Sequence, residues 1–359
     1  MGVPNQTKRL IIMKKILKVA SAVILALIFS FCVVDSGRYN GKIITDIKDK
    51  AVFLSVKEEI KIPDETKIPE EERLQEGPTD ENLPENDTED DRNSHSEEPD
   101  GDGVKSKYAY LISLSDSEVL YSKKGTERIY PASMTKIMTL LVACENIEDF
   151  SAKAKVTSEN IKICTSRGAS VAGLKKDEEM ALYDLLYGMI LPSGADAAIA
   201  IADKVAGSEK EFAELMNKKA KELGLKDTHF TNCTGLNGKK HYSTPQDIAV
   251  IFKAALENPL CKKVLSASYY KTEPTDMHED GIELESLAHW RVSEFNVPDM
   301  KIVAAKTGYT NLSGHCLASY AVRDDGKEYI LITAKAKNIG FPPVDAEYIY
   351  GKYCSHSAQ

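Results

Sequence analysis

The sequence is short of the residues that mark several common functions. Its seven cysteines, at 32, 144, 164, 233, 261, 316 and 354, include no C-x-x-C pair, and no histidine stands at zinc-ligand spacing from one. Free buried thiols behaving as small hydrophobes are expected, not a metal site. The count is odd, so at least one thiol is unpaired within the chain; for an exported protein this suggests a reducing or anaerobic setting. Glycine and proline are too few for a collagen-like or wholly low-complexity chain. Aromatics are scarce, Trp290 is the one tryptophan, and there is no internal repeat. The hydrophobic share of 42% is low enough that part of the chain need not fold.

What is present is unevenly spread. The chain has 359 residues, room for two or three domains, and a formal net charge of −9. Residues 1–56 carry a net +6, residues 57–103 a net −14, and the remainder only −1. The acidity thus belongs to one segment. The rest has no basic excess of the kind that nucleic-acid binding needs, so nucleic acid is not expected as a partner.

Lys8, Arg9, Lys14, Lys15 and Lys18 precede an uncharged run from Val19 to Val34. That run of 16 lies between a signal-peptide core and a full membrane span. No clear A-x-A site follows; Val34-Asp35-Ser36 is the best candidate and Asp35 weakens it. Phe31 is too large for lipoprotein processing at Cys32. A retained N-terminal anchor over 1–36 is favoured over a cleaved signal peptide, and the basic flank leaves the rest of the chain outside the cell membrane. Met13 could also serve as the start. Residues 37–103 then read as an extracytoplasmic stalk. From about residue 57 it is acidic and disordered, with Pro63, Pro69, Pro78, Pro84 and Pro99 among dense Glu and Asp.

Residues 104–359 read as one globular α+β domain. KYAYLISL and SEVLYSKK pair around Ser115-Asp116-Ser117. A helix opens after Pro131 and runs through Cys144. Further helices fit 179–191, 195–206, 209–223, 245–256 and 343–354. Strands fit 301–307, 315–323 and 328–337, with Asp324-Asp325-Gly326 as the last turn. Strands at both ends and helices between them predict an antiparallel sheet built from both ends of the domain.

Three motifs in this domain could carry chemistry. Ser133-Met134-Thr135-Lys136 is an S-x-x-K, and on a helix positions i and i+3 share a face, so hydroxyl and amine can meet. The apolar residues that follow, Ile137, Met138, Leu140, Leu141 and Val142, describe a buried helix. A serine is a poor nucleophile without a base, and a lysine is a base only when burial or a second cation lowers its pKa. The plain alternative is an ordinary helix start capped by Ser133. Ser193-Gly194-Ala195-Asp196 reads either as a capping box, with Ser193 as N-cap, or as a serine that relays a proton. Lys306-Thr307-Gly308 ends a β-like run. It reads either as a strand meeting a turn or as a cation and hydroxyl for a substrate carboxylate, with a glycine that lets another backbone approach.

In this order, and within the blocks IYPASMTKIMTLLVA, DLLYGMILPSGADAA, THFTNCTGLNGKKHYSTPQDIA and AAKTGYTNLSGHCLA, the motifs resemble the serine-type D-alanyl-D-alanine carboxypeptidases, the low-molecular-mass penicillin-binding proteins. The resemblance spans roughly residues 105–354. It implies a β-lactamase-like fold, an antiparallel sheet of about five strands flanked by helices with a helical subregion. It also implies an acyl-enzyme on Ser133, with Lys136 as general base and Ser193 passing a proton to the leaving amine. Lys306, Thr307 and Gly308 would hold the terminal carboxylate, and backbone N–H groups of Ser133 and Tyr309 would form the oxyanion hole. The implied partners are peptidoglycan stem peptides ending in D-Ala-D-Ala and, as inhibitors, β-lactams. No metal or organic cofactor is implied.

Two departures stand out. The family's second motif is usually Ser-Gly-Asn, and here Ala195 replaces the asparagine that steadies the lysine and the substrate amide. Losing such a contact costs about 1–3 kcal/mol. Many relatives also carry a β-rich domain and an amphipathic anchor after the catalytic domain, for which this chain has no room. The N-terminal segment would then anchor it, and 47 acidic-linker residues at about 3.3 Å each would reach up to roughly 150 Å. The same motifs serve a D,D-endopeptidase, and Ala195 also leaves room for a binder of stems or β-lactams without turnover. A β-lactamase is disfavoured because no acidic loop residue stands out to activate the deacylating water. Thr244-Pro245-Gln246-Asp247 reads as a capped helix start. His229, His241 and His315 read as packing or hydrogen-bonding residues.

Overall fold

The computed structural model describes residues 103–356. The anchor expected over 1–36 and the stalk expected over 37–103 fall, but for residue 103, outside the described residues.

The sheet forms from both ends of the domain, and its central strands are buried on both faces, which is why they read as near-continuous apolar runs. Strands β1 (Tyr108–Ser113), β2 (Val119–Lys123), β7 (Met300–Thr310), β8 (Gly314–Arg323) and β9 (Glu328–Ala336) pair in the order β2-β1-β9-β8-β7, all antiparallel. β1 enters beside β9, with Tyr108 opposite Ala334 and Ser113 opposite Tyr329. Successive side chains then point to opposite faces. Tyr110, Ile330, Ile332 and Ala334 face the main helical body. Ala109, Leu111, Tyr329 and Leu331 face α9 (Phe341–Tyr353) with Ala346, Ile349 and Tyr350. The buried Asp345 of α9 accepts from the backbone N–H groups of Lys105 and Ser106 at 2.8 and 2.7 Å, tying the start of the domain to its last helix. Asp324-Asp325-Gly326 makes the β8–β9 turn, where Gly326 has φ +86°.

The helical body fills the stretch between β2 and β7. Its centre is α1 (Thr135–Asn146), which is buried at every position from Thr135 to Ala143. That is what an all-round apolar helix must do. α2 (Ser158–Ser166), α3 (Leu182–Ile190), α4 (Ala195–Ala206), α5 (Glu209–Glu222), α6 (Pro245–Glu257) and α7 (Pro259–Leu265) surround it. α4 is rich in alanine and wholly buried from Ala195 to Ala202, so its neighbours can approach closely. Thr244 caps α6 by accepting from Asp247 N at 3.0 Å, with Pro245 in the first turn, as its sequence predicts.

The expected helix over 179–191 is shorter than its pattern. Glu179–Ala181 form β4, which pairs with β3 (Lys153–Lys155), and the helix begins at Leu182. A second small hairpin pairs β5 (Tyr269–Lys271) with β6 (Glu283–Glu285), just before the one-turn helix α8 (Leu287–Arg291). Three-residue strands leave no readable period, and they, α2, α7 and α8 carry no pattern long enough to read. The six described cysteines are free, and five of them are buried. Among the described residues no helix is long and apolar enough to cross a membrane, and no cluster of His, Cys, Asp or Glu could hold a metal ion.

Candidate active site

The nucleophile candidate is set by a local turn. Ala132–Met134 form one turn of 3-10 helix that runs directly into α1. Ser133 lies in that turn and Lys136 in the first turn of α1, so the two side chains, three apart, meet across the junction. Lys136 Nζ donates to Ser133 Oγ at 3.2 Å and to the Thr234 carbonyl at 2.6 Å. Ser133 caps nothing; the residue before α1 makes no side-chain cap. Lys136 is only 2% exposed, and burial lowers its pKa to about 8. The sequence allowed a second cation as the cause. Burial is the larger effect, and the acids and thiols around Lys136 act the other way.

The second motif corrects the capping-box reading. Gly194, not Ser193, is the N-cap of α4, and it makes no side-chain cap. Ser193 sits in a left-handed conformation at φ +64° and is buried. Its Oγ accepts from Lys306 Nζ at 2.8 Å. Asp196 turns away to accept from the backbone N–H groups of Ala172, Gly173 and Leu174. The carboxylate therefore clasps the loop beside the cleft. One hydroxyl could not serve both roles, and the tertiary partner won.

The third motif does not end its strand. β7 continues to Thr310, so Lys306-Thr307-Gly308 lies within paired backbone, with Thr307 opposite Leu317 and Gly308 opposite Cys316. Pairing across β8 keeps the run extended past the glycine. A Cβ on Gly308 would lie 3.1 Å from Pro131 O and 3.2 Å from Ser133 N, so the strand passes tight against the nucleophile turn. Lys306 is 1% exposed, and burial, with the Lys136 charge second, holds its pKa well below the usual lysine range.

These elements enclose a cleft of about 980 Å³. Ser133, Lys136, Ser193, Ala195 and Thr307–Thr310 line it. Thr234–Asn237 and Arg167–Ser170 also line it. Every site residue expected from the sequence lines this cleft or, for Lys306, reaches it through Ser193. Two arginines, Arg167 and Arg291, line it, and no Asp or Glu does among the described residues. The cleft is thus suited to an anionic group.

Sequence reasoning missed Thr234, Arg167 and Arg291. Thr234 lies inside a block quoted for the resemblance, and its partner is a backbone carbonyl, which no side-chain pattern reveals. Arg291 is brought in by α8, and nothing in its local sequence marks it. His315, read as packing, lines the cleft and stacks on Tyr309 with ring centres 4.3 Å apart. His241 does behave as a hydrogen-bonding residue. Its Nδ1 accepts from Thr231 N at 3.1 Å, so Nε2 donates to Thr135 Oγ1 at 2.9 Å. Burial lowers its pKa to about 4, so it is neutral near pH 7.

A half-buried serine beside a buried lysine, with a serine–lysine bridge at the same electropositive cleft, is an arrangement that can carry out serine acyl transfer without a histidine base. The family model for peptidase S11, D-alanyl-D-alanine carboxypeptidase, matches residues 93–338, and the chain belongs to that family. It is 33% identical over 258 residues to the D-alanyl-D-alanine carboxypeptidase DacF of Bacillus subtilis (strain 168), covering 70% of this chain and 64% of that protein. It is 38% identical over 154 residues to the D-alanyl-D-alanine carboxypeptidase DacC of Escherichia coli (strain K12), covering 41% of this chain and 38% of that one. The chain therefore spans less than two thirds of the length of these curated relatives. The crystal structure of the Streptomyces K15 DD-transpeptidase superposes with a TM-score of 0.64 at 28% identity, covering 69% of this chain and 97% of that one. The expected α+β, penicillin-binding DD-peptidase fold is thus the fold found.

Proposed function

We propose that this protein is a serine-type D-alanyl-D-alanine carboxypeptidase that removes the terminal D-alanine from peptidoglycan pentapeptide stems. The observation that carries the reading is the buried Lys136 amine, 3.2 Å from Ser133 Oγ with its pKa lowered to about 8. Near neutral pH a useful fraction of that amine is a free base beside the hydroxyl it must deprotonate.

The steps follow from the contacts. Lys136 takes the Ser133 proton as Oγ attacks the carbonyl carbon between the two D-alanines. The carbonyl oxygen becomes an oxyanion facing the N–H groups of Ser133 and Tyr309, beside the close approach at Gly308. Ser193 accepts a hydrogen bond from Lys306, which leaves its own proton to aim at the departing amine. The C–N bond breaks, D-alanine leaves with that proton, and an ester on Ser133 remains. The proton that Lys136 took passes on to Ser193 as Ser193 gives its own to the amine, which leaves Lys136 neutral; water then attacks the ester with Lys136 as base, and the proton it takes returns to Ser133 Oγ as the acid departs. Thr307 and Arg291 offer a hydroxyl and a guanidinium to the terminal carboxylate, with Lys306 behind them. That anion would also favour the charged form of Lys306. β-Lactams would acylate Ser133 by the same attack, and a cleft without Asp or Glu has no carboxylate to speed their release.

The basic flank and apolar run over residues 8–34 support a bacterial membrane tether, with an extracytoplasmic stalk over 37–103 and the catalytic domain beyond it. Retention of the full chain in the membrane fraction after a high-salt wash is the outcome expected of a tether.

The first experiment is D-alanine release from a Lys-D-Ala-D-Ala peptide by the full chain, with Ser133→Ala as control. Release that disappears in the variant is expected. A folded wild type that takes up a fluorescent penicillin on Ser133 yet releases no D-alanine would sink the carboxypeptidase reading. Cleavage of cross-linked muropeptides would then identify an endopeptidase, and its absence a binder.

A further inference from the structure

The second motif lacks its asparagine, so the question is what holds Lys136. Its ammonium has two hydrogen-bond partners among the described residues, Ser133 Oγ and the Thr234 carbonyl. The Ala195 methyl can offer it none. The Thr234 contact is the shorter by 0.6 Å and comes from a turn, Asn232–Leu236, 98 residues away in sequence.

That turn is held from inside by one side chain. Asn232 is buried. Its Oδ1 accepts from Thr234 N at 3.2 Å, Thr234 Oγ1 at 3.0 Å and Gly235 N at 2.8 Å. Its Nδ2 donates to Leu236 O at 2.9 Å. Four bonds from one amide fix the peptide planes on both sides of the Thr234 carbonyl. The turn also presses on the nucleophile. Gly235 has φ +85°, and a Cβ there would lie 1.9 Å from Ala132 O. A shift of the turn would therefore move both Lys136's acceptor and the wall behind Ser133.

We propose that Asn232 is a positioning residue for Lys136. By locking the 232–236 turn it aims the Thr234 carbonyl at one N–H of the lysine, so that the amine's lone pair faces Ser133 Oγ. It thereby supplies from a separate turn the orientation that Ala195 cannot. This rests on Lys136 acting as the base of an acyl transfer on Ser133. Asn232 itself touches neither the nucleophile nor the lysine amine.

The test measures Ser133 acylation by a fluorescent penicillin, and D-alanine release, across pH for the full chain. Asn232→Ala should stay folded by circular dichroism and lose about 10- to 100-fold in acylation rate. Asn232→Asp keeps the acceptor oxygens and adds a negative charge, so it should recover most of the rate while moving the acidic limb upward by about one pH unit. The other groups that bear on Lys136 are Cys233, Cys164, Asp196 and Glu209, and the Lys136 charge is in turn felt by Lys306 and by neutral His241. None changes in these variants. Adding Ala195→Asn to Asn232→Ala should restore part of the lost rate, because an amide is returned beside the lysine; damage to the fold alone would not be repaired that way. A folded Asn232→Ala with wild-type acylation and an unmoved pH profile overturns the proposal. So does an Asn232→Asp that is as slow as Asn232→Ala with no shift in profile. Failure of the wild type to release D-alanine bears on the substrate, while the acylation arm still scores Asn232.

Discussion

Lys306 Nζ donates to Ser193 Oγ at 2.8 Å, joining two residues 113 apart in sequence across the cleft. The lysine is almost wholly enclosed, so the bond forms where little water competes for it. It makes Ser193 an acceptor and fixes where its own proton can point. The bridge ties strand β7 to the turn that opens α4, and through them the third motif to the second.

Breaking that bridge separates proton delivery from nucleophilic attack. Ser193→Ala is expected to lower acylation of Ser133 by about 10²–10⁴-fold, the usual range for losing a proton-transfer group. A penicillin acylation time course reads this directly. A variant within about twofold of wild type would remove Ser193 from the relay.

The pKa of Lys136 sets the pH dependence. Burial lowers it to about 8, and the base works only when neutral. The neutral fraction grows as pH rises, so kcat/KM for peptide should climb about tenfold per pH unit below that value and level off above it. Activity is thus lost as pH falls through about 8. Lys306, held well below the usual lysine range by burial, loses its charge at a lower pH than an exposed lysine would, so KM should increase as pH rises. His241 at about 4 is already neutral and adds no step there. A flat kcat/KM between about pH 6 and 9 would exclude Lys136 as the titrating base.

Glycine is required at two close approaches. In Gly308→Ala the new Cβ meets Pro131 O at 3.1 Å and Ser133 N at 3.2 Å, which pushes β7 off the nucleophile turn. A loss of about 10- to 100-fold in acylation is expected with only a small fall in Tm. In Gly235→Ala the Cβ falls 1.9 Å from Ala132 O at φ +85°, so backbone must move. That variant should lose about 2 kcal/mol or more of stability along with its activity. Thermal melts beside acylation rates distinguish the two.

Ala195→Asn places an amide where the motif usually has one, at the first residue of α4 and on the cleft wall. Turnover of a D-Ala-D-Ala peptide is expected to stay the same or rise. A collapse of activity in a folded variant would mean that the site is built around the smaller residue.

Much of the fold was legible because its long elements carry long patterns. Apolar strand-like runs bounded by turn residues, at Tyr108–Ser113 and in the two C-terminal hairpin strands, marked the sheet, and the all-apolar run after Lys136 marked a buried central helix. The short hairpins and α2, α7 and α8 were not legible. Three-residue strands have no period, and a five-residue helix is held by what it packs against rather than by its own propensity. At Ser193 the structure rejects only the capping-box alternative. A serine three residues before an aspartate satisfies the local rule for a helix cap, yet a buried lysine from β7 and a loop of bare N–H groups took the two side chains.

The sequence by itself determined which residue types were present in which order: a serine and lysine three apart, a Ser-Gly pair, and Lys-Thr-Gly on a strand. It also set the apolar periods that fix strands and helices, because those are local properties of the chain. Only the tertiary structure decided that Thr234, from a block with no side chain to mark it, would hold Lys136, and that Arg291 would enter the cleft. It also decided that burial more than a neighbouring charge would lower the lysine's pKa. Those depend on which distant backbones meet and on how much water they exclude. Neither is encoded in the spacing of residues along one segment.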